Sequence, residues 1–192
     1  MTEPVSAVQV TVALRELAEV ATRTADRIAA DVARAATLVR DTVRAGGTLY
    51  FCGNGGSAAD AEHVATEYVV RFRRNRRAYP AVALTTDTSL LTACANDFGF
   101  DHVFERQVEA LCRAGDLLVI HSTSGNSGNL ILAAHAARAK GVKVLALTAR
   151  DGGELRALAD HNVIIPTERT DRAQELHLCV QHLICDLVEE GF

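Results

Sequence analysis

Long apolar runs are missing from this chain. No window approaches 18 continuous apolar residues, and polar and acidic residues precede the first apolar stretch. Neither a membrane span nor a secretion signal is expected. Cysteine is sparse and unpaired in pattern: Cys52, Cys94, Cys112, Cys179 and Cys185 form an odd set without a CxxC pair. That argues against a disulfide framework or a thiolate zinc site and fits a reducing cytoplasm. The formal net charge is only -4, so the bulk composition carries no electrostatic footprint for nucleic acid. Repeats and low-complexity segments are also absent. What remains is 192 residues with 48% hydrophobic content, enough for one well-buried domain.

From Val10 the apolar residues Val10, Leu14, Leu17, Ala21, Ala25, Ile28, Val32, Ala35, Val39 and Val43 step by three or four. This period predicts one long helix, or two helices broken midway, ended by Gly46-Gly47. The stripe is narrow and near heptad spacing. It either packs the helix on its own sheet or also pairs it with another subunit.

The chain is organised around Gly53-Asn54-Gly55-Gly56-Ser57, with a short buried strand expected over 47–51 and a helix over 58–70. A strand that enters a helix through glycines leaves backbone N–H groups free at a positive helix end, where an anionic or polyhydroxylated ligand can settle. The glycines lack the GxGxxG register and no lysine makes a P-loop, so nucleotide binding is weakly supported. His63 and Glu67 stand at i and i+4 and face the same way, which points to chemistry beside the turn.

Five arginines follow within 71–77. Pro80 ends any helix there, and without interleaved aromatics the run reads as a solvated loop rather than a nucleic-acid surface, with one arginine available to an anionic ligand. Further short apolar runs at 81–84, 117–120, 142–147 and 163–165 predict strands. Helices are expected over 89–95, 103–112, 130–140, 154–159 and 171–190. The alternation gives an α/β fold, a doubly wound five-stranded parallel sheet flanked by helices, with ligands at the carboxyl ends of the strands. One such end carries His121-Ser122-Thr123-Ser124-Gly125-Asn126-Ser127. A plain helix cap needs one hydroxyl and this loop spends four, so it reads as a phosphate cradle. His121, closing a buried strand, reads as a structural histidine rather than a proton carrier.

Taken together, Gly53 to Ser57, His63, Glu67, Asn96-Asp97-Phe98-Gly99-Phe100, the serine loop, and Gln174 with His182 in the last helix resemble the phosphoheptose isomerases. These are sugar isomerase (SIS) domain proteins that convert sedoheptulose 7-phosphate to an aldoheptose 7-phosphate. The resemblance runs from about Gly47 to the C-terminus. It implies that Ser122, Thr123, Ser124 and Ser127 hold the phosphate, and that Asn54, Gly55, Gly56 and Ser57 meet the sugar. Arg71, Asn96, Asp97, Asp171 and Gln174 would line the pocket. Glu67 would be the general base and His182 its acid/base partner, while His63, Glu67, Gln174 and His182 would bind zinc. It further implies a single SIS domain over 1–192, with residues 1–45 a helical segment involved in oligomerisation, assembled as a homotetramer.

The chemistry agrees with these roles. Exchanging a ketose for an aldose moves a proton between neighbouring carbons through an enediol, which needs a carboxylate over both carbons and a second group to shuttle the hydroxyl proton. A divalent metal stabilises the enediolate as a Lewis acid. Gln174 and His182 are about 12 Å apart along a continuous helix, so they converge on one ion only by reaching toward each other or by coming from different subunits. The competing reading is a non-catalytic SIS scaffold or sugar-phosphate sensor, such as a protein that associates with the replication initiator. A scaffold would give Glu67, His182, His63 and Gln174 no evident reason to coincide.

Overall fold

A computed structural model describes residues 6–191. Five parallel strands, β1 (Leu49–Gly53), β2 (Ala81–Ala83), β3 (Leu117–His121), β4 (Lys143–Ala149) and β5 (His161–Ile165), form one sheet in the order β2-β1-β3-β4-β5. Successive side chains of a strand point to opposite faces, and here both faces are covered. Phe51, Val119, Leu145, Leu147 and Val163 share one core with α1 (Ala7–Arg44), α2 (Gly56–Val69) and α7 (Thr170–Glu190). Tyr50, Cys52, Leu118, Ile120 and Ala146 point the other way. They meet α3 (Thr88–Phe98), α4 (Glu105–Leu111), α5 (Gly128–Ala139) and α6 (Leu155–Leu158). The central strands are buried on both faces, which is why they read as uninterrupted apolar runs.

The first helix is continuous, without the midway break left open by the periodicity. Ser6 starts it: its hydroxyl accepts from the Val8 N–H at 3.2 Å, while its own N–H donates to the Gln9 side chain at 3.1 Å. From Val20 onward one face packs on β5 and α7, but Val8, Val10, Val12 and Leu14 stand more than half exposed. No helix among the described residues is long and apolar enough to cross a membrane.

Of the boundaries that differ from expectation, two bear on the site. Helix α2 begins at Gly56 rather than at residue 58, and α3 continues to Phe98, so Asn96 and Asp97 lie within it. In both cases residues with poor helix propensity are carried by the backbone ladder of the adjoining turn, tertiary context overriding a weak local preference.

The order of strands reverses at β1 and β3, which lie side by side with Gly53 opposite His121. One connection leaves β1 toward α2 and the other leaves β3 toward α5. A crevice therefore opens between the glycine turn and the serine loop, at the carboxyl end of the sheet.

Candidate active site

Helix α2 runs directly from the glycine turn. Gly56 has no room for a side chain, since a Cβ there would lie 1.9 Å from the Gln174 amide nitrogen. Seven residues on, His63 emerges, and Glu67 follows one turn later on the same face. Helix α7 packs across α2 and brings His182 to them. The Nε2 atoms of His63 and His182 are 3.0 Å apart, and His63 Nε2 is 3.2 Å from Glu67 Oε1. Phe72 stacks on the His182 ring, centroids 5.2 Å apart and planes 19° from parallel. Burial lowers the His182 pKa, His63 and Arg73 add to the effect, and the Glu67 carboxylate opposes it. At neutral pH this imidazole is therefore uncharged and able to accept a proton or bind a cation.

These three groups are the set of metal-ligating side chains that the fold gathers among the described residues, each offering one donor atom within 4.8 Å of the others. Two imidazole nitrogens aimed at one another, beside a carboxylate oxygen, suit a zinc-type cation. Gln174 is not gathered with them. Its amide lies over Gly56, about 10 Å back along α2 from His63 at 1.5 Å per residue.

The serine loop holds its shape through its own hydroxyls. Ser122 Oγ accepts from the Gly125 N–H at 3.1 Å, and Ser124 Oγ accepts from the Asn126 N–H at 3.2 Å. Gly125 has a φ of 69° and lies so close to the loop after β4 that a Cβ would sit 2.0 Å from the Gly152 carbonyl oxygen. Ser127 occupies the N-cap position of α5 yet makes no side-chain cap hydrogen bond. Its hydroxyl and that of the half-buried Thr123 remain available at a positive helix end.

The two turns are tied together. Asn54 donates to Asn129 Oδ1 at 2.9 Å and Asn129 donates back to Asn54 Oδ1 at 2.8 Å. Beneath them lies a layer of neutral imidazoles. His121 is fully buried and accepts at Nε2 from the Gln181 amide at 2.7 Å, so its proton sits on Nδ1, which has no hydrogen-bond partner among the described residues. Burial, with the neighbouring His177, lowers its pKa to about 3, against the Ser57 backbone. His177 donates from Nε2 to the Thr148 carbonyl at 2.9 Å, and burial lowers its pKa to about 4. The structural reading of His121 agrees with this place in the core.

Other expected residues make no hydrogen bond to either turn among the described residues. Asp171 pairs with Arg169 at 2.5 Å, and that hydrogen bond holds its carboxyl well below the usual range. Asn96 donates to Asp97 at 2.8 Å, and neither bonds to a residue of the two turns. Arg71 is exposed and has no hydrogen bond or ion pair among the described residues. The rest of the arginine segment is not simply solvated: Arg73 pairs with Asp186, Arg74 with Glu190 and Arg76 with Glu189, all on α7.

Asp60 was not anticipated. One turn before His63, it is buried, its Oδ2 has no partner among the described residues, and burial raises its pKa with His63 opposing. With Asp171, Gln174 and Glu175 it lines a recess of about 330 Å³. Its only signal in the sequence is an acid at i−3 from His63 in a run of alanines.

Comparison with known proteins converges on one group. The SIS domain profile matches residues 14–149. A phosphoheptose isomerase of Akkermansia muciniphila is 51% identical over 162 residues, 84% of this chain and 86% of that protein. One from Geobacter sp. (strain M21) is 51% identical over 176 residues, 92% of each. The structure of phosphoheptose isomerase GmhA from Neisseria gonorrhoeae superposes with a TM-score of 0.90 at 43% identity, covering 95% of this chain and 97% of that one. The Vibrio vulnificus NanR protein complexed with ManNAc-6P, at a TM-score of 0.69 and 16% identity, shares the fold alone.

Proposed function

For a chain that belongs to the phosphoheptose isomerase family of SIS-domain proteins, and is thus an aldose-ketose isomerase, we propose the conversion of sedoheptulose 7-phosphate to D-glycero-D-manno-heptose 7-phosphate. The observation that carries the assignment of roles is the convergence of Glu67 and His182 within the group of donor atoms beside the glycine turn. Ser122, Thr123, Ser124 and Ser127 take the phosphate at the start of α5, and Asn54, Gly55, Gly56 and Ser57 floor the sugar. Asp97, Asn96, Arg71, Asp171 and Gln174 complete the pocket.

Glu67 removes a proton from C1 of the ketose, leaving the enediol as its O2 enediolate. The neutral imidazole of His182 takes the O1 proton and passes it to O2, and the proton held by Glu67 is delivered to C2, giving the aldose with no net change in protons. Glu67 Oε1 faces His63, so Oε2 is the atom free to carry the transferred proton. The lowered pKa of His182 keeps its imidazole neutral between turnovers. His63, Glu67 and His182 would hold a zinc ion, which when bound supplies Lewis-acid stabilisation of enediolate charge, while Gln174, lying over Gly56, serves the sugar side of the pocket.

Assembly as a homotetramer is part of this reading. A groove of about 430 Å³ between α1 and α7, lined by Ile28, Val32, Leu176, Val180, Leu183 and Leu187, offers an apolar face for another subunit, and Val8, Val10, Val12 and Leu14 at the start of α1 are exposed as well. A non-catalytic scaffold would leave the converging proton-transfer groups without a task. The test is incubation with sedoheptulose 7-phosphate followed by NMR, beside Glu67→Gln and His182→Ala. Each variant is expected to lose about 10²–10⁴ in kcat. No aldose from the wild type with zinc supplied overturns the assignment, and undiminished turnover in Glu67→Gln removes its role as base.

A further inference from the structure

The last turn of α2 carries Glu67, and a helix end leaves carbonyls without intrahelical donors. Arg76 fills that need. Its Nη2 donates to the Glu67 carbonyl at 2.7 Å and its Nη1 to the Tyr68 carbonyl at 2.7 Å. The guanidinium carbon lies 3.9 Å from the centroid of the Tyr79 ring. Its remaining edge donates from Nε to Glu189 Oε1 at 3.0 Å, with the Glu189 side chain only 2% exposed.

Glu189 belongs to α7, the helix that also carries His182. Its carboxylate accepts three successive backbone N–H groups, from Phe72, Arg73 and Arg74, each at 2.9 Å. The loop is thereby wrapped around one carboxylate, and the wrap delivers the Phe72 ring onto the imidazole of His182. One ion pair thus touches both proton-transfer groups indirectly: Arg76 fixes the backbone under Glu67, and Glu189 fixes the ring that faces His182.

We propose that Arg76 and Glu189 are positioning residues for the isomerisation, a clamp between α2 and α7 that sets the relative placement of Glu67 and His182. This rests on the acid/base roles proposed above for those two residues. The arginine segment then has an internal task, and the charges of Arg73, Arg74 and Arg76 are met by acids of α7 rather than by an external polyanion. The phosphate cradle hangs from β3 and α5 and is untouched by the clamp, so chemistry and substrate capture should separate.

The test compares Arg76→Ala and Phe72→Leu with the wild type on sedoheptulose 7-phosphate, after circular dichroism has established the folded fraction. A displacement of about 1 Å at a reacting group costs on the order of 100-fold. Arg76→Ala is therefore expected to lose about 10–100-fold in kcat per folded molecule, with KM changed less than about threefold, and to regain part of that loss with millimolar guanidinium. Phe72→Leu keeps the Arg76–Glu189 pair and is expected to lower kcat, again with little effect on KM. It carries the test if Arg76→Ala does not fold. Wild-type kcat in folded Arg76→Ala, or in Phe72→Leu should Arg76→Ala not fold, overturns the clamp, as does a loss confined to KM. Glu67→Gln run alongside separates the two readings. Activity retained there sinks the acid/base assignment itself, whereas activity lost there and kept in Arg76→Ala and Phe72→Leu sinks only the clamp.

Discussion

His63 and His182, 119 residues apart in sequence, point their Nε2 atoms at each other across 3.0 Å. Such a contact requires a shared proton or a shared cation, because two neutral lone pairs repel. Protein purified without chelator is expected to contain close to one zinc per chain by elemental analysis, and His63→Ala to lose affinity by on the order of 100-fold or more, since even an outer-shell partner costs 10–100-fold. Unchanged zinc content in His63→Ala would remove this pair from the site.

Ser127 separates two uses of a hydroxyl. An N-cap serine replaced by alanine costs about 1 kcal/mol when it caps, but here no side-chain cap bond exists. Ser127→Ala is expected to leave Tm within about 1 °C of the wild type, because a ΔΔG near zero moves Tm little. KM for the sugar phosphate should rise about tenfold, the loss of roughly one hydrogen bond to a charged group. A fall in Tm without a change in KM would return Ser127 to an ordinary cap.

The buried imidazoles predict acid lability with a defined sign. His177 and His121 have folded pKa values near 4 and 3, below the ordinary value of 6.5. As pH falls below 6.5 the unfolded chain takes up protons that the folded chain refuses. Their contribution is therefore complete above pH 6.5 and is lost progressively toward pH 4 and then 3. Each can add a slope of up to about 1.4 kcal/mol per pH unit in that window. Urea denaturation at pH 7, 6 and 5 should show it, and His177→Gln should flatten the slope by about one proton. An unchanged slope in that variant would mean that His177 does not titrate on unfolding.

Leu183, 51% exposed in the single chain, lines the groove between α1 and α7. Leu183→Glu should leave each chain folded, since nothing in its own core is disturbed, yet shift light scattering from tetramer to smaller species. A tetramer that survives this substitution is built on another face.

Much of this was legible from local pattern. Buried parallel strands are apolar throughout, so β3 and β4 announced themselves. The four-residue spacing placed His63 and Glu67 on one face of α2. His182 was different: no periodicity links it to α2, and only its likeness to a known family brought it into the site. Arg76 and Glu189, 113 residues apart, carry no local signal at all, because the pairing exists only once two helices and a loop have docked. Asp60 was hidden for a related reason, since burial of one acid among alanines depends on what α7 covers.

The paired amides of Asn54 and Asn129 have one more effect. Two hydrogen bonds must break together before the glycine turn and the serine loop can part. The crevice between them therefore has a set span, and a rigid crevice measures what enters it. With the roles proposed above, a sugar phosphate whose carbonyl lies too near its phosphate would dock in the serine loop and still present no carbon to Glu67. Discrimination by chain length would then be a matter of reach, fixed by two asparagines that never handle the transferred proton.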